Sequence, residues 1–366
     1  MALEIREIEN EKEWQEFEDN FSPHTFLQTW EWGRAQEMMG YKITRLGVYG
    51  SERMSGAIAG GKVNEDIEAP SVKPLKEKLR GTALVYKISA RRGAFLFCPH
   101  GPSVGWKNEE EFRALDGYLK ELGKKEKVSF IRVSSLAPAS KEMGGLFFKY
   151  GYRNAPIHMM HPENAWILDI EGSEESVLAG MKKRTRYSIR KAQKDGVRIA
   201  TSRDSKDVKL FYGMYLETAQ RQKFVPFSEN YIMREFEIFE KNNKALMFFA
   251  YYQEKIISAA VIIFAGKMAF YHHGASIRMG SSGITASELL QWEAIREARR
   301  RGLSGYNFWG IAPPDAPNHP WQGLTLFKKG FGGYPENYLH AQDYKLTNRY
   351  WLNYIVEKIR TMKRGY

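Results

Sequence analysis

Twice along this chain a run of short apolar strands gives way to a helix and then to one more strand, and that repetition limits the fold more than any single motif. In the first half, strand-like runs cover 44–49, 57–62, 83–89 and 94–97. A helix that Asn108 can cap runs to Gly123, and 128–134 is the next strand. In the second half, 246–252, 256–264 and 268–273 read as a meander with tight polar turns, 284–301 as a long helix closed by Gly302, and 306–310 as a strand. Strands and helices in this order specify an α/β unit. Its return specifies a duplicated one, although the two halves share little sequence. A chain of 366 residues suits two cores rather than one. We expect domains at 1–155 and 156–340, with the tail 341–366, helical over 347–362, packing back on the first. Two helices open the chain, one capped by Asn10 and broken at Ser22-Pro23, the other carrying Trp30 and Trp32 and stopping at Gly40. Further helices are expected at 174–195, closed by Gly196, and at 205–222 and 229–240, with a polar loop at 63–80.

Charge narrows the partners. Lys and Arg total 55 against 43 acids, a net +12. This balance favours phosphate-bearing partners such as a nucleic acid, a nucleotide or an anionic membrane surface. The excess is concentrated in Lys182, Lys183, Arg184, Arg186, Arg190, Lys191, Lys194 and Arg198, against the single acid Asp195. Leu178, Met181, Thr185, Ile189 and Ala192 recur at helical spacing, which leaves the cations to the remaining face. Like charges so placed cost a helix ~0.2–0.5 kcal/mol per pair. An anionic partner offsets that cost through phosphate pairing and counterion release, and a plainly solvated face is the other reading of the same residues. The lone cysteine, Cys98, permits no intrachain disulfide and fits a reducing cytoplasm. Met1 to Glu7 does not read as a signal peptide. The most apolar run, 256–266, is shorter than the ~18 residues a membrane helix needs, so membrane contact is expected to be peripheral.

Two segments stand out chemically. In Gly323-Leu-Thr-Leu-Phe327-Lys328-Lys329-Gly330-Phe331-Gly332-Gly333, Lys328 could sit part-buried beside Phe327 and bring a positive charge to a reacting centre. The glycines would let backbone approach a ligand. A turn-rich connection with a snorkelling lysine explains the same residues. Pro99-His100-Gly101-Pro102 marks a rigid turn at a strand end, a place where ligands often bind, or a plain turn. No nucleophile elbow and no phosphate-binding P-loop is present. His158 and His161 lack an acidic or cysteine set to complete a metal site. His272 and His273 are strand neighbours, expected on opposite faces and so unable to share an ion. No metal and no cofactor is expected.

Taken together, several segments resemble the FemABX family of peptidoglycan-bridge aminoacyltransferases. They are Phe26-Leu-Gln-Thr-Trp-Glu-Trp-Gly33, Pro99-His-Gly-Pro102, the basic run Lys183 to Val197, Thr218 with Arg221 and Phe224, and Tyr271-His-His-Gly-Ala-Ser276. Leu290-Gln-Trp-Glu-Ala-Ile295, Tyr306-Asn-Phe-Trp-Gly-Ile311 and Phe327-Lys-Lys-Gly-Phe-Gly332 complete them, in the family's order over most of the chain. The resemblance implies an α/β (α+β) fold of two tandem GNAT-like acyltransferase domains with mixed sheets flanked by helices. It is the short form, since no long heptad run is present to make the coiled-coil arm of some members. It implies transfer of an amino acid from aminoacyl-tRNA to the peptide stem of lipid II or a UDP-linked muropeptide, in the cytoplasm or at the inner face of the plasma membrane, with no part for DNA.

Carried over by residue, the resemblance implies catalytic roles for Lys328, Phe327 and Tyr271, precursor contacts at Arg221, His100 and Arg34, and tRNA phosphate contacts at Lys182, Lys183, Arg184, Arg186 and Arg190. The chain departs from the family at His273, where tyrosine is common, and at Asn307, where aspartate is common. Near Trp32 it offers Arg34 and Gln36 where some members have a lysine. These departures leave the acceptor open. The competing expectation is an acyl-coenzyme A-dependent N-acyltransferase of the same fold, with Arg278-Met-Gly-Ser-Ser-Gly283 as a loose pyrophosphate loop.

Overall fold

The computed structural model describes residues 3–51, 77–158, 160–222, 224–277 and 284–364. The strand expected at 57–62, most of the polar loop 63–80 and the glycine-containing segment 278–283 lie outside the described residues. The first half contains β1 (Leu3–Glu7), α1 (Glu11–Asn20), α2 (Trp30–Met38), β2 (Lys42–Ser51), β3 (Glu77–Ala90), β4 (Gly93–Pro99), α3 (Glu109–Lys125), β5 (Phe130–Ser134), α4 (Lys141–Lys149) and β6 (Tyr152–Asn154). The second runs through β7 (Asn164–Asp169), α5 (Glu174–Gly180), α6 (Lys183–Lys194), β8 (Arg198–Ser202), α7 (Val208–Gln222), α8 (Glu229–Lys241), β9 (Ala245–Tyr252), β10 (Lys255–Ala265) and β11 (Met268–Ser276). It continues with α9 (Ser287–Arg300), β12 (Gly305–Gly310), α10 (Gln322–Lys329) and β13 (Tyr334–Asn337); β14 (Gln342–Lys345) and α11 (Tyr350–Arg364) follow.

The strands form two seven-stranded mixed sheets, ordered β1-β2-β3-β4-β5-β14-β6 and β13-β7-β12-β11-β10-β9-β8. Each is built alike. Four antiparallel strands are followed by a crossover helix, α3 or α9, and by a strand parallel to the fourth, β5 on β4 or β12 on β11. A parallel neighbour requires such a crossover. β14 enters the first sheet between β5 and β6, so the chain returns to its first half after completing the second. There α11 is fixed by Glu357, which accepts from Arg132 Nη2 at 2.8 Å, while Arg132 also grips Asp343 at 2.7 and 2.8 Å.

Local sequence explains most boundaries. Asn10 accepts from the N–H groups of Lys12 and Glu13, Thr29 from Trp32, Asn108 from Glu110 and Ser228 from Tyr231, each satisfying a helix-start donor. Three expectations need correcting. The single helix expected at 174–195 is two. Met181 is buried and extended, and the Lys182 N–H donates to the Gly330 carbonyl at 2.9 Å, which breaks the helix there. Residues 77–80, read as loop, are already strand, because backbone pairing with β2 (Ser51↔Glu77, Gly50↔Lys78, Tyr49↔Leu79) does not depend on apolar side chains. Of the two readings of the segment around Lys328, the turn-rich connection with a snorkelling lysine gives way to the helix α10, on which Lys328 is buried.

Three cores hold the molecule. One lies between the first sheet and α3/α4, with Leu115, Phe112, Phe147 and Ile131. Another lies between the second sheet and α5, α6 and α9, with Ile189, Trp292, Ile295 and Phe331. The third joins the halves. Trp14, Phe26, Leu27 and Trp32 from the first pack with Phe211, Ile232, Phe236, Phe249 and Phe270 from the second. Glu31 on α2 adds an ion pair to Lys244 at 2.9 Å and accepts from Asn242 at 2.7 Å. A shared apolar layer of this kind makes the two halves one body.

Candidate active site

Parallel pairing of β11 with β12 covers three partners only, Met268↔Gly305, Ala269↔Tyr306 and Phe270↔Asn307, although β11 continues to Ser276 and β12 to Gly310. The corresponding pair in the first sheet stays in register from Phe95↔Phe130 to Pro99↔Ser134. The second sheet therefore opens beyond Phe270 and Asn307, at the carboxyl ends of parallel strands, where α/β folds place ligands. Tyr271 is the first residue of β11 past the opening. Its hydroxyl lies over Gly274, where an added Cβ would stand 1.8 Å from it, and burial pushes its pKa up to about 12.

α10 brings Lys328 to the end of β12. Its Nζ donates to the carbonyl of Gly310, the last residue of that strand. The side chain is 3% exposed, and burial lowers its pKa to about 7. Phe327 packs against the same core as Tyr271. The glycines after them permit close packing. A Cβ on Gly330 would meet Thr185 Oγ1 at 2.5 Å, and one on Gly333, whose φ is +85°, would meet the Ile167 carbonyl at 2.0 Å. The Lys328 segment and the start of the basic helix α6 are thereby locked together.

Lys182, at the N-cap of α6, and Lys183, Arg184 and Arg190 on it are exposed. Arg186 differs, because its Nη1 donates to the carbonyls of Ala179 and Met181 and caps the preceding helix. Lys191 is paired with Asp195. Arg221, near the end of α7, donates to the Ser276 carbonyl at 2.8 Å, at the tip of β11, with Glu217 3.7 Å away. The first-half residues are placed differently. Arg34 is exposed and ion-paired with Glu11 at 2.8 Å. His100 is buried with φ +48°, its Nδ1 3.1 Å from Thr25 Oγ1, its ring 5.4 Å from Trp309 and 5.7 Å from His161. Lys328 and Phe327 thus sit with the start of α6 at the end of β12, Tyr271 lies on β11 just past the opening, and Arg221 sits at the tip of β11. Arg34 lies on the outer surface of the first half and His100 in the seam.

Sequence reasoning missed one cluster. His272 and His273 do not face opposite ways. The pairing of β10 and β11 runs Val261↔His273 and Ile262↔Tyr271, so His272 is the extra residue of a β-bulge and alternation fails there. The rings lie 3.8 Å apart, and both approach Glu235 Oε1, His272 Nε2 at 2.8 Å and His273 Nε2 at 3.5 Å. Among the described residues these three are the group whose donor atoms, within 4.8 Å of one another, could share a metal ion. The hydrogen bond from His272 accounts for the contact without one. A bulge leaves no signature in the residues themselves, so periodicity could not have found it.

The acetyltransferase (GNAT) domain family matches residues 179–322, which contain the open end of the second sheet. A lipid II:glycine glycyltransferase of Staphylococcus epidermidis is 21% identical over 76% of this chain and 83% of its own length. That of Staphylococcus aureus is 20% identical over 91% of this chain and 90% of its own. The crystal structure of FemX superposes with a TM-score of 0.78 at 17% identity, covering 97% of this chain and all of the other. A tandem GNAT protein from the clavulanic acid pathway gives 0.52 at 12% identity, over 94% and 98%. Two tandem GNAT-type domains are therefore the fold.

Proposed function

We propose, from this chain's membership of the FemABX family, that it moves an amino acid from aminoacyl-tRNA to the peptide stem of a peptidoglycan precursor, lipid II or a UDP-linked muropeptide. The observation that carries the reading is the buried Lys328 at the open end of the second sheet, locked to a helix that presents exposed cations.

The chemistry is aminolysis of an ester. An amine of the stem attacks the carbonyl carbon of the aminoacyl group. A C–N bond forms, the bond to the 3′ ribose oxygen breaks, and the amine's proton ends on that oxygen. Negative charge builds on the carbonyl oxygen in between. The Lys328 ammonium, held dry by its surroundings, would donate to that oxygen, a role worth ~2.7–4 kcal/mol in comparable sites. Phe327 and Tyr271 would shape the pocket. Arg221 would pair with precursor phosphate. Lys182, Lys183, Arg184 and Arg190 would hold the tRNA backbone. Arg34 would reach the precursor only by leaving Glu11, and His100 would act through Thr25 and Trp309. Positioning of the two substrates would supply much of the rate. We set the domain borders at 155/156 and 340/341, and place the reaction in the cytoplasm at the inner membrane face. Among the described residues no helix is long and apolar enough to cross a membrane.

The decisive test incubates the protein with a mixture of charged tRNAs and purified precursors and weighs the products. A precursor heavier by one aminoacyl residue is expected. No mass gain with any pairing, together with heat released on titration with acetyl-coenzyme A, would replace this reading with a coenzyme A-dependent acyltransferase.

A further inference from the structure

The helix α11 shows two faces of opposite character. Asn353, Glu357 and Thr361, spaced by four, bind it to the first half and to Pro156 just past its border. Asn353 Nδ2 donates to the Arg92 carbonyl at 3.2 Å, Glu357 accepts from Arg132, and Thr361 Oγ1 donates to the Pro156 carbonyl at 3.1 Å. On the opposite face Leu352, Ile355, Ile359 and Met362 are 53, 55, 47 and 73% exposed. Their spacing of three, four and three makes a single stripe along the helix. Isolated surface apolars are ordinary, but four in line on a regular helix are a contiguous patch of the kind that marks an interaction surface.

The flanks say what would cover it. Lys358 and Trp351 border the stripe on one side, Lys363 and Arg360 on the other, and all four are exposed. Lys345 and Arg153 approach the Trp351 ring at 5.7 and 5.0 Å, adding charge beside that indole. The one acid of the helix, Glu357, turns inward to Arg132. An apolar stripe bordered by cations and an indole matches a bilayer interface, where apolar side chains enter the acyl boundary, indoles sit at headgroup level and Lys and Arg meet anionic headgroups. A second copy of this chain fits less well, because stripe-to-stripe packing would set the same rows of cations against each other.

We propose that α11 is a peripheral membrane-docking helix that lies in the plane of an anionic bilayer. The assignment rests on the helix alone and not on the transfer reaction. If that reaction acts on a lipid-linked acceptor, docking would hold the enzyme on the surface that carries it.

Flotation of the full chain with phospholipid vesicles tests this without any transfer assay, so the two proposals can fail separately. Vesicles containing phosphatidylglycerol should carry the protein upward, phosphatidylcholine alone should not, and raised salt should weaken the binding. Ile355→Asn with Ile359→Asn should lower binding about ten-fold or more. Lys358→Glu or Lys363→Glu should each lower it about five-fold or more. Because these side chains point outward, melting temperature and transfer to a water-soluble acceptor should stay as in the parent. Three results would overturn the proposal: no flotation with anionic vesicles, flotation that the substitutions leave unchanged, or a dimer in solution that the isoleucine substitutions dissociate.

Discussion

The ammonium nitrogen of Lys328 donates to the backbone carbonyl of Gly310, the residue at which β12 ends. A cation there has a dipole to rest against and, among the described residues, no carboxylate partner, and burial lowers its pKa to about 7. The charged form is thus held below that pH and lost above it. If the ammonium steadies a developing oxyanion, turnover should fall as pH rises through 7, whereas a lysine acting as a base would give the opposite limb. Lys328→Met keeps the volume and should lower turnover by about a hundred-fold or more with tRNA binding retained. It should also raise the melting temperature, since a buried amine no longer has to lose its hydration. A variant with parental turnover would remove Lys328 from the mechanism.

The cations of α6 divide by what they touch. Lys183 and Arg190 are exposed, and Arg186 holds the carboxyl end of α5. Lys183→Glu and Arg190→Glu should weaken tRNA binding and lower the salt slope by roughly 0.7–0.9 for each phosphate that is no longer paired. Melting should hardly change, because surface substitutions of this kind stay within about 0.5 kcal/mol. Arg186→Ala should do the reverse, costing about 0.5–1.5 kcal/mol of stability through the lost hydrogen bonds to the Ala179 and Met181 carbonyls. Filter binding across a salt series, with thermal melts beside it, separates the two classes.

Tyr271 depends on Gly274. An alanine there would place its Cβ 1.8 Å from the tyrosine hydroxyl and 2.4 Å from Cζ, so the ring has to leave the opening of the sheet. Gly274 does not have a positive φ, so alanine brings no backbone strain and the stability cost should stay at about 1–3 kcal/mol. Turnover should fall by about a hundred-fold, the scale on which a displaced active-site group is felt. Equal turnover in Gly274→Ala and parent would show that the position of Tyr271 does not matter.

How far the sequence can be read depends on whether a feature is local. Caps at Asn10 and Asn108, the meanders and the crossover helices are written in neighbouring residues and are legible there. The helix break at Met181 is hidden because its cause is Gly330, far along the chain. The bulge at His272 is hidden because it belongs to the pairing of two strands. Lys328 is legible as an oddity, one of two adjacent lysines amid aromatics and glycines. Its meeting with Gly310 needs α10 and β12 to be set against each other, which no periodicity specifies. Arg186 shows the converse failure: charge alone does not tell a cation facing solvent from one that caps the helix before it.

The seam between the halves should make the protein sensitive to acid. His161 stacks on Phe97 at 5.6 Å and lies beside Trp32 and His100, while His273 packs against Phe211, Tyr215 and Phe227. Burial, reinforced by His272, lowers His161 to about 3 and His273 to about 4. Burial and His161 hold His100 well below the usual range. In the unfolded chain all three take up a proton near ~6.5. Their contribution is therefore complete above that pH and is lost as pH falls from there toward the folded values. Glu235 works over a different range. Burial opposes its charge, but His272 and His273 keep its pKa below normal, so its contribution is lost only below the ordinary carboxylate range. Between about pH 7 and pH 5 His161 and His273 should each remove about 2 kcal/mol, while Glu18, which burial raises to about 7, works in the opposite direction. His161→Phe keeps the stack on Phe97 without the titrating nitrogen, and should flatten the dependence by about that amount. Urea melts of both proteins across this range check the prediction, and a parent as stable at the acid end as at neutrality would contradict it.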